Sequence, residues 1–305
     1  FLRLRDQERV EAFSKSMEKS LSKIIAEREQ VPKLDRLPVR VVHLGAGNGQ
    51  VSMLAAQCAR SAGVTQEDID THGYTVVALE QMPKTVKLAK LVLADNKAAN
   101  DVLMCSEDVR RLPNQPQRAQ LIVCELIDPG LLGDGILPLL STARIKMCAA
   151  FEHRVIPARA RLWAAAFEFG AGLKSCHGFD MSSFNHYRTG NMVDLDCALD
   201  RGYARQLSTA FEALRFDFES NEMPPRHTVS ICPTDDGTIN AIAFWYEADM
   251  DREGDIVLTN WPESIPPADF SMEERDLHRP MPLRQAIHHF HGPYAKEGIK
   301  GEPVE

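Results

Sequence analysis

Apolar residues at Val10, Phe13, Met17, Leu21, Ile24 and Ile25 recur at helical spacing in a stretch otherwise rich in Glu, Lys, Arg and Ser. Residues Phe1–Gln30 therefore predict one or two amphipathic helices. A short apolar run over Val39–Leu44 then ends in glycines, Val51–Cys58 has a helical pattern, and Tyr74–Leu79 is a second β-rich run. A helical stretch over Thr85–Asn96, a short strand over Val102–Cys105 and an apolar strand over Gln120–Cys124 continue the alternation. Strands alternating with helices imply an α/β fold with a doubly wound, mostly parallel sheet.

From about Val155 the texture changes. Ile156–Phe169, Ala213–Phe218, His227–Cys232, Asn240–Glu247 and Asp255–Leu258 predict strands separated by turn residues, hence an antiparallel β domain, with His177–Arg205 as a more helical insertion. Ala286–Phe290 predicts a terminal strand. Trp163, Trp245 and Trp261 all fall in β-like segments and are expected in the core or at an interface.

At 305 residues and 44% hydrophobic, the chain can bury a substantial core, and two domains are expected rather than one. Its net charge of −8 argues against a broad phosphate-tracking face, so no direct nucleic-acid binding is expected, and it suits a basic ligand or peptide. The seven cysteines show no Cys-x-x-Cys spacing, and an odd number in a chain this long is no disulfide framework; a reducing compartment, cytoplasmic or nuclear, is the expectation. No apolar run approaches the roughly 20 residues that span a bilayer, and no signal-peptide pattern opens the chain, so no membrane partner is expected. Because the chain starts at Phe1, it is expected to be an excised piece.

The strongest local motif is Val41-Val42-His43-Leu44-Gly45-Ala46-Gly47-Asn48-Gly49, a strand running into three closely spaced glycines before a helix. Glycine permits a sharp turn and close backbone approach to a ligand, and the helix start presents free N–H groups. Position 50 is Gln, so the six-residue dinucleotide fingerprint is incomplete. Glu80 closes the next strand, where a carboxylate can accept two ribose hydroxyls. Together they describe an adenosine site without separating NAD from S-adenosylmethionine. After the fourth strand, Cys124-Glu125-Leu126-Ile127-Asp128-Pro129-Gly130-Leu131-Leu132-Gly133-Asp134-Gly135 puts acids on a glycine-rich loop at the edge where open α/β sheets carry their chemistry.

The order of these motifs resembles the protein arginine methyltransferase family, on the side of its branch 7, the type III monomethylating branch. The resemblance runs over nearly the whole chain: Asp6-Gln7-Glu8-Arg9, the glycine loop, Glu80, Ser106-Glu107-Asp108-Val109, Glu125 to Asp134, Ile156-Pro157-Ala158 and Gly178-Phe179-Asp180-Met181-Ser182. It implies N-terminal helices and a class I methyltransferase (Rossmann-like) domain over 1–155. A β-barrel-like substrate domain would follow over 156–305, with a helical dimerisation arm at about 177–205 and hence a homodimer.

The cofactor it implies is S-adenosylmethionine, released as S-adenosylhomocysteine. Arg9 would pair with the cofactor's carboxylate, Gly45, Gly47 and Gly49 would face its methionine and ribose portions, Glu80 would hold the ribose and Glu107 would contact the adenine. Glu125 and Asp134 would be the catalytic pair that grips the guanidinium of an arginine in a protein or peptide, histone tails or RNA-binding proteins among them, giving monomethylarginine. Two positions depart from the family pattern. The second acid is Asp134 rather than Glu, which opens room for dimethylation, and Met281-Pro282-Leu283 stands where the family has threonine-histidine-tryptophan.

The alternatives are a catalytically weak, cofactor-binding partner subunit of another arginine methyltransferase and an NAD-dependent dehydrogenase. The chemistry requires no metal. His288, His289 and His291 are expected in the core or facing solvent rather than as metal ligands.

Overall fold

The structure, a computed structural model, describes residues 5–32, 35–115, 118–148, 153–170, 174–187, 192–220, 222–226, 228–266, 275–290 and 295–304. The chain opens with α1 (Gln7–Glu29), β1 (Val41–Leu44), α2 (Gln50–Ala62), α3 (Gln66–His72), β2 (Val76–Leu79), α4 (Pro83–Asp95) and β3 (Val102–Cys105). There follow β4 (Leu121–Cys124), α5 (Ile136–Met147) and β5 (Arg154–Ile156). These five strands form one parallel sheet in the order β3-β2-β1-β4-β5. Every residue of β1 and β4 is buried, as expected of parallel strands covered on both faces. The strand order reverses between β1 and β4, and the crevice at their carboxyl ends is where open α/β sheets bind ligands.

The second half comprises β6 (Arg159–Phe169), β7 (Ser175–Cys176), β8 (Phe179–Asp180), β9 (Met192–Val193), α6 (Leu195–Asp200), β10 (Ala204–Gln206) and β11 (Phe211–Asp217). It continues with β12 (Gly237–Ile239), β13 (Ala241–Asp249), β14 (Ile256–Thr259), β15 (Asp276–His278), β16 (Gln285–His289) and β17 (Lys296–Gly298). Eight of these strands make a curled sheet whose long central pair is β6 and β13; it is antiparallel except where β14 meets β15. The architecture is a parallel α/β sheet followed by a curled, largely antiparallel sheet. Trp163, Trp245 and Trp261 pack edge-on at 5.2 and 5.5 Å in the core of that second sheet.

Several expected elements take a different form. The N-terminal apolar stripe makes one continuous helix, because Phe13, Met17, Leu21, Ile24 and Ile25 all lie on one buried face. The strand expected over 156–169 is divided. Ile156 pairs with Val123 and ends the parallel sheet, while Ala158 is already bonded to Asp249 and the antiparallel sheet starts at Arg159. No strand runs through the described part of 227–232, where Ile231 makes an isolated bridge to Val304. The stretch 177–205 is less helical than its composition predicts: a 3₁₀ turn over Ser182–Tyr187 and the short α6 sit among two-residue strands. Strand β16 is followed by β17 and so is not the last. Helices α3 and α5 add to the expected set; α3 is nucleated by a capping box in which Thr65 and Asp68 satisfy each other's backbone N–H.

Helix α1 joins the two halves. Its apolar face packs on α2, while lysines at four-residue spacing reach the second sheet. Lys15 bonds Asp276 at 2.8 Å, Lys19 pairs with Asp251, Asp255 and Glu253, and Lys23 pairs with Glu253. His278 of β15, 3% exposed, adds Nδ1 at 3.1 Å from Glu8 and Nε2 at 3.3 Å from Asp276. Burial works against the Lys19 ammonium, but its three acidic partners outweigh it and hold the group above the usual lysine range. Asp251 is buried, so removing its cation would leave a carboxylate with a poor exchange for water. Lys19→Met should lower the unfolding free energy by about 1–3 kcal/mol, as for other stranded buried ionic groups. Urea denaturation checks this; a loss under about 0.5 kcal/mol would mean that the lysine ladder behaves as an ordinary surface network.

Candidate functional site

Strands β1 to β4 end at the same edge of the sheet, and two of them, β2 and β4, hand over to the acids Glu80 and Glu125. Backbone pairing carries on past the strands, with Gly45 bonded to Leu79 at 3.0 Å, Glu80 to Cys105 at 3.1 Å and Glu125 to Leu44 at 3.1 Å, so all three are held in register. Gly45, Gly47 and Gly49 have φ of +72°, +51° and +85°, values that strain any side chain. Their surroundings differ. A Cβ on Gly45 would come within 2.5 Å of Leu126, whereas one on Gly47 would meet nothing closer than 3.9 Å. Gly49 caps α2, and its missing side chain faces Met104, Ala89 and Leu93 in the core rather than a cleft.

Glu80 uses both carboxylate oxygens on backbone donors, accepting from Gly47 N–H at 3.1 Å and from Met82 N–H at 2.8 Å. Each oxygen keeps a second lone pair. Glu80 lines a cleft of about 270 Å³ together with Gly45, the exposed Glu107 and the exposed Asp134. This cleft brings together four of the residues singled out from the sequence.

Arg9 and Glu125 meet in the neighbouring cleft, of about 220 Å³, which Asp6, Asp128, Pro129, Asn260, Met281 and Arg284 also line. Arg9 sits in the first turn of α1, where the N-cap carboxylate of Asp6 accepts its backbone N–H at 3.1 Å, and its guanidinium pairs with Glu125 Oε1. Glu125 Oε2 lies 3.4 Å from Nε2 of His43, whose Nδ1 is 2.7 Å from Ser52 Oγ. The Glu125 side chain is only 13% exposed. That desolvation works to raise its pKa, yet the His43 contact and the Arg9 charge outweigh it and hold the carboxyl below its ordinary value. Glu125 is therefore a carboxylate at neutral pH. Asp6 goes the other way: burial pushes it up against the backbone N–H groups of Arg9 and Met281 that favour its charge.

Asp134 and Glu125 thus line adjacent clefts rather than one. Both still act on the buried thiol of Cys124, which burial first, and then these two negative charges, push up to about 12. Three residues at this site have no individual role in the motifs quoted above. His43 is fully buried in a wholly apolar strand, the one signal that could have marked it. Asp128 accepts Gly133 N–H at 2.9 Å and lies where a side chain on Gly133 would sit, so Gly133 lets the loop fold over it. Asn260 is the third. Among the described residues no group of three or more His, Cys, Asp or Glu could hold a metal, and His291 lies outside them. No helix among the described residues is long and apolar enough to cross a membrane.

No family model matches the chain. A protein arginine N-methyltransferase 7 of rice, Oryza sativa subsp. japonica, is 27% identical over 256 residues, covering 78% of this chain and 35% of the relative. An arginine N(omega)-methyltransferase of Streptomyces achromogenes subsp. streptozoticus is 26% identical over 255 residues, 80% of this chain and 65% of its own length. The chain spans about a third of the rice relative. Among solved structures, the Trypanosoma brucei PRMT1 enzyme-prozyme heterotetrameric complex with AdoHcy has a TM-score of 0.63 at 15% identity, over 99% of this chain and 84% of that one, a likeness of fold.

A carboxyl with a depressed pKa contributes stability that is present above its unfolded value of about 4.3 and lost as pH falls through the folded one. His43→Leu removes the contact that most opposes desolvation, so the Glu125 pKa should rise. The stability difference between the wild type and Glu125→Gln should then lose less as pH falls below about 4.3 in the His43→Leu background, because the loss is set by the gap between the unfolded and folded values. Denaturation midpoints between pH 3 and 7 measure this; superimposable profiles would remove His43 from the account.

Proposed function

We infer that this chain, a relative at modest identity of the protein arginine methyltransferases on the side of their branch 7, is an S-adenosylmethionine-dependent enzyme that methylates a guanidinium nitrogen of arginine. The observation that carries this is Glu125: an ionised, nearly buried carboxylate at the reversal point of a parallel sheet, next to a cleft lined by Glu80 and Glu107. An NAD-dependent dehydrogenase is disfavoured by Gln50 in the glycine motif and by the acidic loop.

The residues present fit the cofactor. The open space beside Gly47 admits a close backbone approach, Glu80 has lone pairs left for a ribose diol and Glu107 borders the same cleft for the adenine, whereas Arg9 lies in the neighbouring cleft, paired with Glu125. When bound, S-adenosylmethionine supplies a methyl group already activated on a sulfonium. The chain's own task is then to present an arginine nitrogen in line. Arginine keeps its proton to pH above about 12, so its nitrogens are poor nucleophiles unless charge is drawn away from one of them. Glu125 does this by accepting guanidinium N–H bonds and fixing the plane of the group, while His43 and Arg9 keep its own oxygens oriented and charged. The net charge of −8 favours basic segments of proteins, histone tails and RNA-binding proteins among them. Two copies associating through the 177–205 segment, in a reducing compartment that suits seven free thiols, complete the proposal.

Glu125→Gln keeps the shape of the side chain and removes its charge. Methyl transfer to an arginine peptide should fall by about 10²–10⁴, with S-adenosylmethionine affinity changed less than about fivefold. Single-turnover rates and calorimetric titration separate the two; a variant that keeps its rate, or loses both together, would refute the role of Glu125.

The placement of Asp134 favours a second reading, a weakly active partner subunit, because its short side chain lines the Glu80 cleft and not that of Glu125. If the chain is the active, monomethylating enzyme, Asp134→Glu should restore the reach of the second carboxylate. It should speed monomethylation about tenfold or more, the value of one charge-assisted hydrogen bond, and suppress any dimethylarginine. Mass spectrometry of an exhaustively treated arginine peptide decides: no transfer by the wild type and strong transfer by Asp134→Glu favours the partner subunit, and unchanged product ratios refute the pocket-size argument.

A further inference from the structure

We propose that Asn260 is a positioning residue of the guanidinium cleft, its single side-chain amide setting the spacing between the acidic loop after β4 and the segment that leads into β16. The proposal rests on the reading of that cleft as the arginine site. Asn260 follows β14 and is 1% exposed. Its Nδ2 donates one hydrogen to the carbonyl of Pro129 at 2.8 Å and the other to the carbonyl of Arg284 at 2.7 Å, while its Oδ1 accepts the N–H of Tyr246 at 2.7 Å. Both acceptors belong to residues that line the Glu125 cleft, one on each wall.

The reason for an asparagine is visible in the sheet. Pairing between β13 and β14 ends at Glu247 and Thr259. One residue further on, Tyr246 N–H needs an acceptor, and the Asn260 side chain supplies it in place of backbone. The amide then has two donors left, which match two carbonyls. An aspartate would set a carboxylate against both carbonyls, and a leucine would strand two buried acceptors and one donor.

The network extends beyond the cleft. Gln285, fully buried, donates Nε2 to the carbonyl of Asn260 at 2.8 Å, and its Oε1 accepts the N–H of Leu195 at 3.0 Å. Leu195 opens α6 within the 177–205 segment, and Met192 of the same segment lines the cleft. Hydrogen bonds through Gln285 and Asn260 thus join that segment to Pro129 of the acidic loop.

Hydrogen–deuterium exchange and steady-state kinetics on the intact chain test this with Asn260→Ala and Asn260→Ser, the second keeping one donor. In Asn260→Ala, amides of 126–135 and 281–285 should exchange about tenfold faster while those of β1 and β2 stay unchanged, and the KM for an arginine peptide should rise about tenfold with less change in kcat, from the loss of the two hydrogen bonds that tie the cleft walls and of the third that holds the amide to Tyr246. S-adenosylmethionine affinity should fall by less than the KM rises, since Asn260 bonds no residue that lines the Glu80 cleft, which the loop borders only through Leu126 and Asp134. The serine variant should fall between the two and decides the matter if the alanine variant does not fold. Gln285→Leu should reproduce part of the effect and be non-additive with Asn260→Ala. Unchanged exchange in both walls, exchange raised uniformly along the chain, or KM and cofactor affinity failing in step would each overturn the proposal. A wild type without transfer to arginine would instead refute the functional reading, and the exchange result would stand on its own.

Discussion

The nearly buried negative charge of Glu125 organises the site end of this molecule. Desolvating the Glu125 carboxylate is costly, and the cost is offset by a cation from α1 and an imidazole from β1 rather than by the strand that carries it. Arg9 reaches Glu125 only if the first turn of α1 is held against the sheet, and that turn is held by Asp6, whose own buried carboxyl takes a backbone N–H from Met281 in the second half of the chain. The charge at the end of β4 thus requires the helix, the parallel sheet and the segment before β16 to be in place together.

The same requirement explains the position of α1. A helix that served only to cover the parallel sheet would need an apolar stripe and no more. This one also carries Lys15, Lys19 and Lys23 toward the acids around β14 and β15, so one element is bonded to both sheets. Burial of Phe13 and Met17, about 1.5–3 kcal/mol each, supplies the non-directional part of the docking, and the ion pairs set the register along the helix axis. The two clefts lie on either side of consecutive residues, Leu126 bordering the one with Glu80 and Glu125 the other, so a shift of the loop changes both.

The sequence by itself determined the elements whose periodicity is local. The stripe of α1, the alternation of β1 to β4 with helices, and the glycines that end β1 all follow from spacing and from conformations that only glycine adopts cheaply. It also marked Glu80 and Glu125 at strand ends and Asp134 on the loop that follows, because the ends of parallel strands converge, while Arg9 and Glu107 followed from the family resemblance alone. What it could not carry is pairing between distant positions. The meeting of Arg9 with Glu125, 116 residues apart, and the fit of the Asn260 amide between Pro129 and Arg284 depend on how two sheets and a helix are stacked. The separation of Asp134 from Glu125 into two clefts has the same origin: the loop between them folds over Asp128, which accepts Gly133 N–H at 2.9 Å, a closure invisible in spacing. Periodicity reports which face of an element is buried; only the tertiary structure decides what that face is buried against.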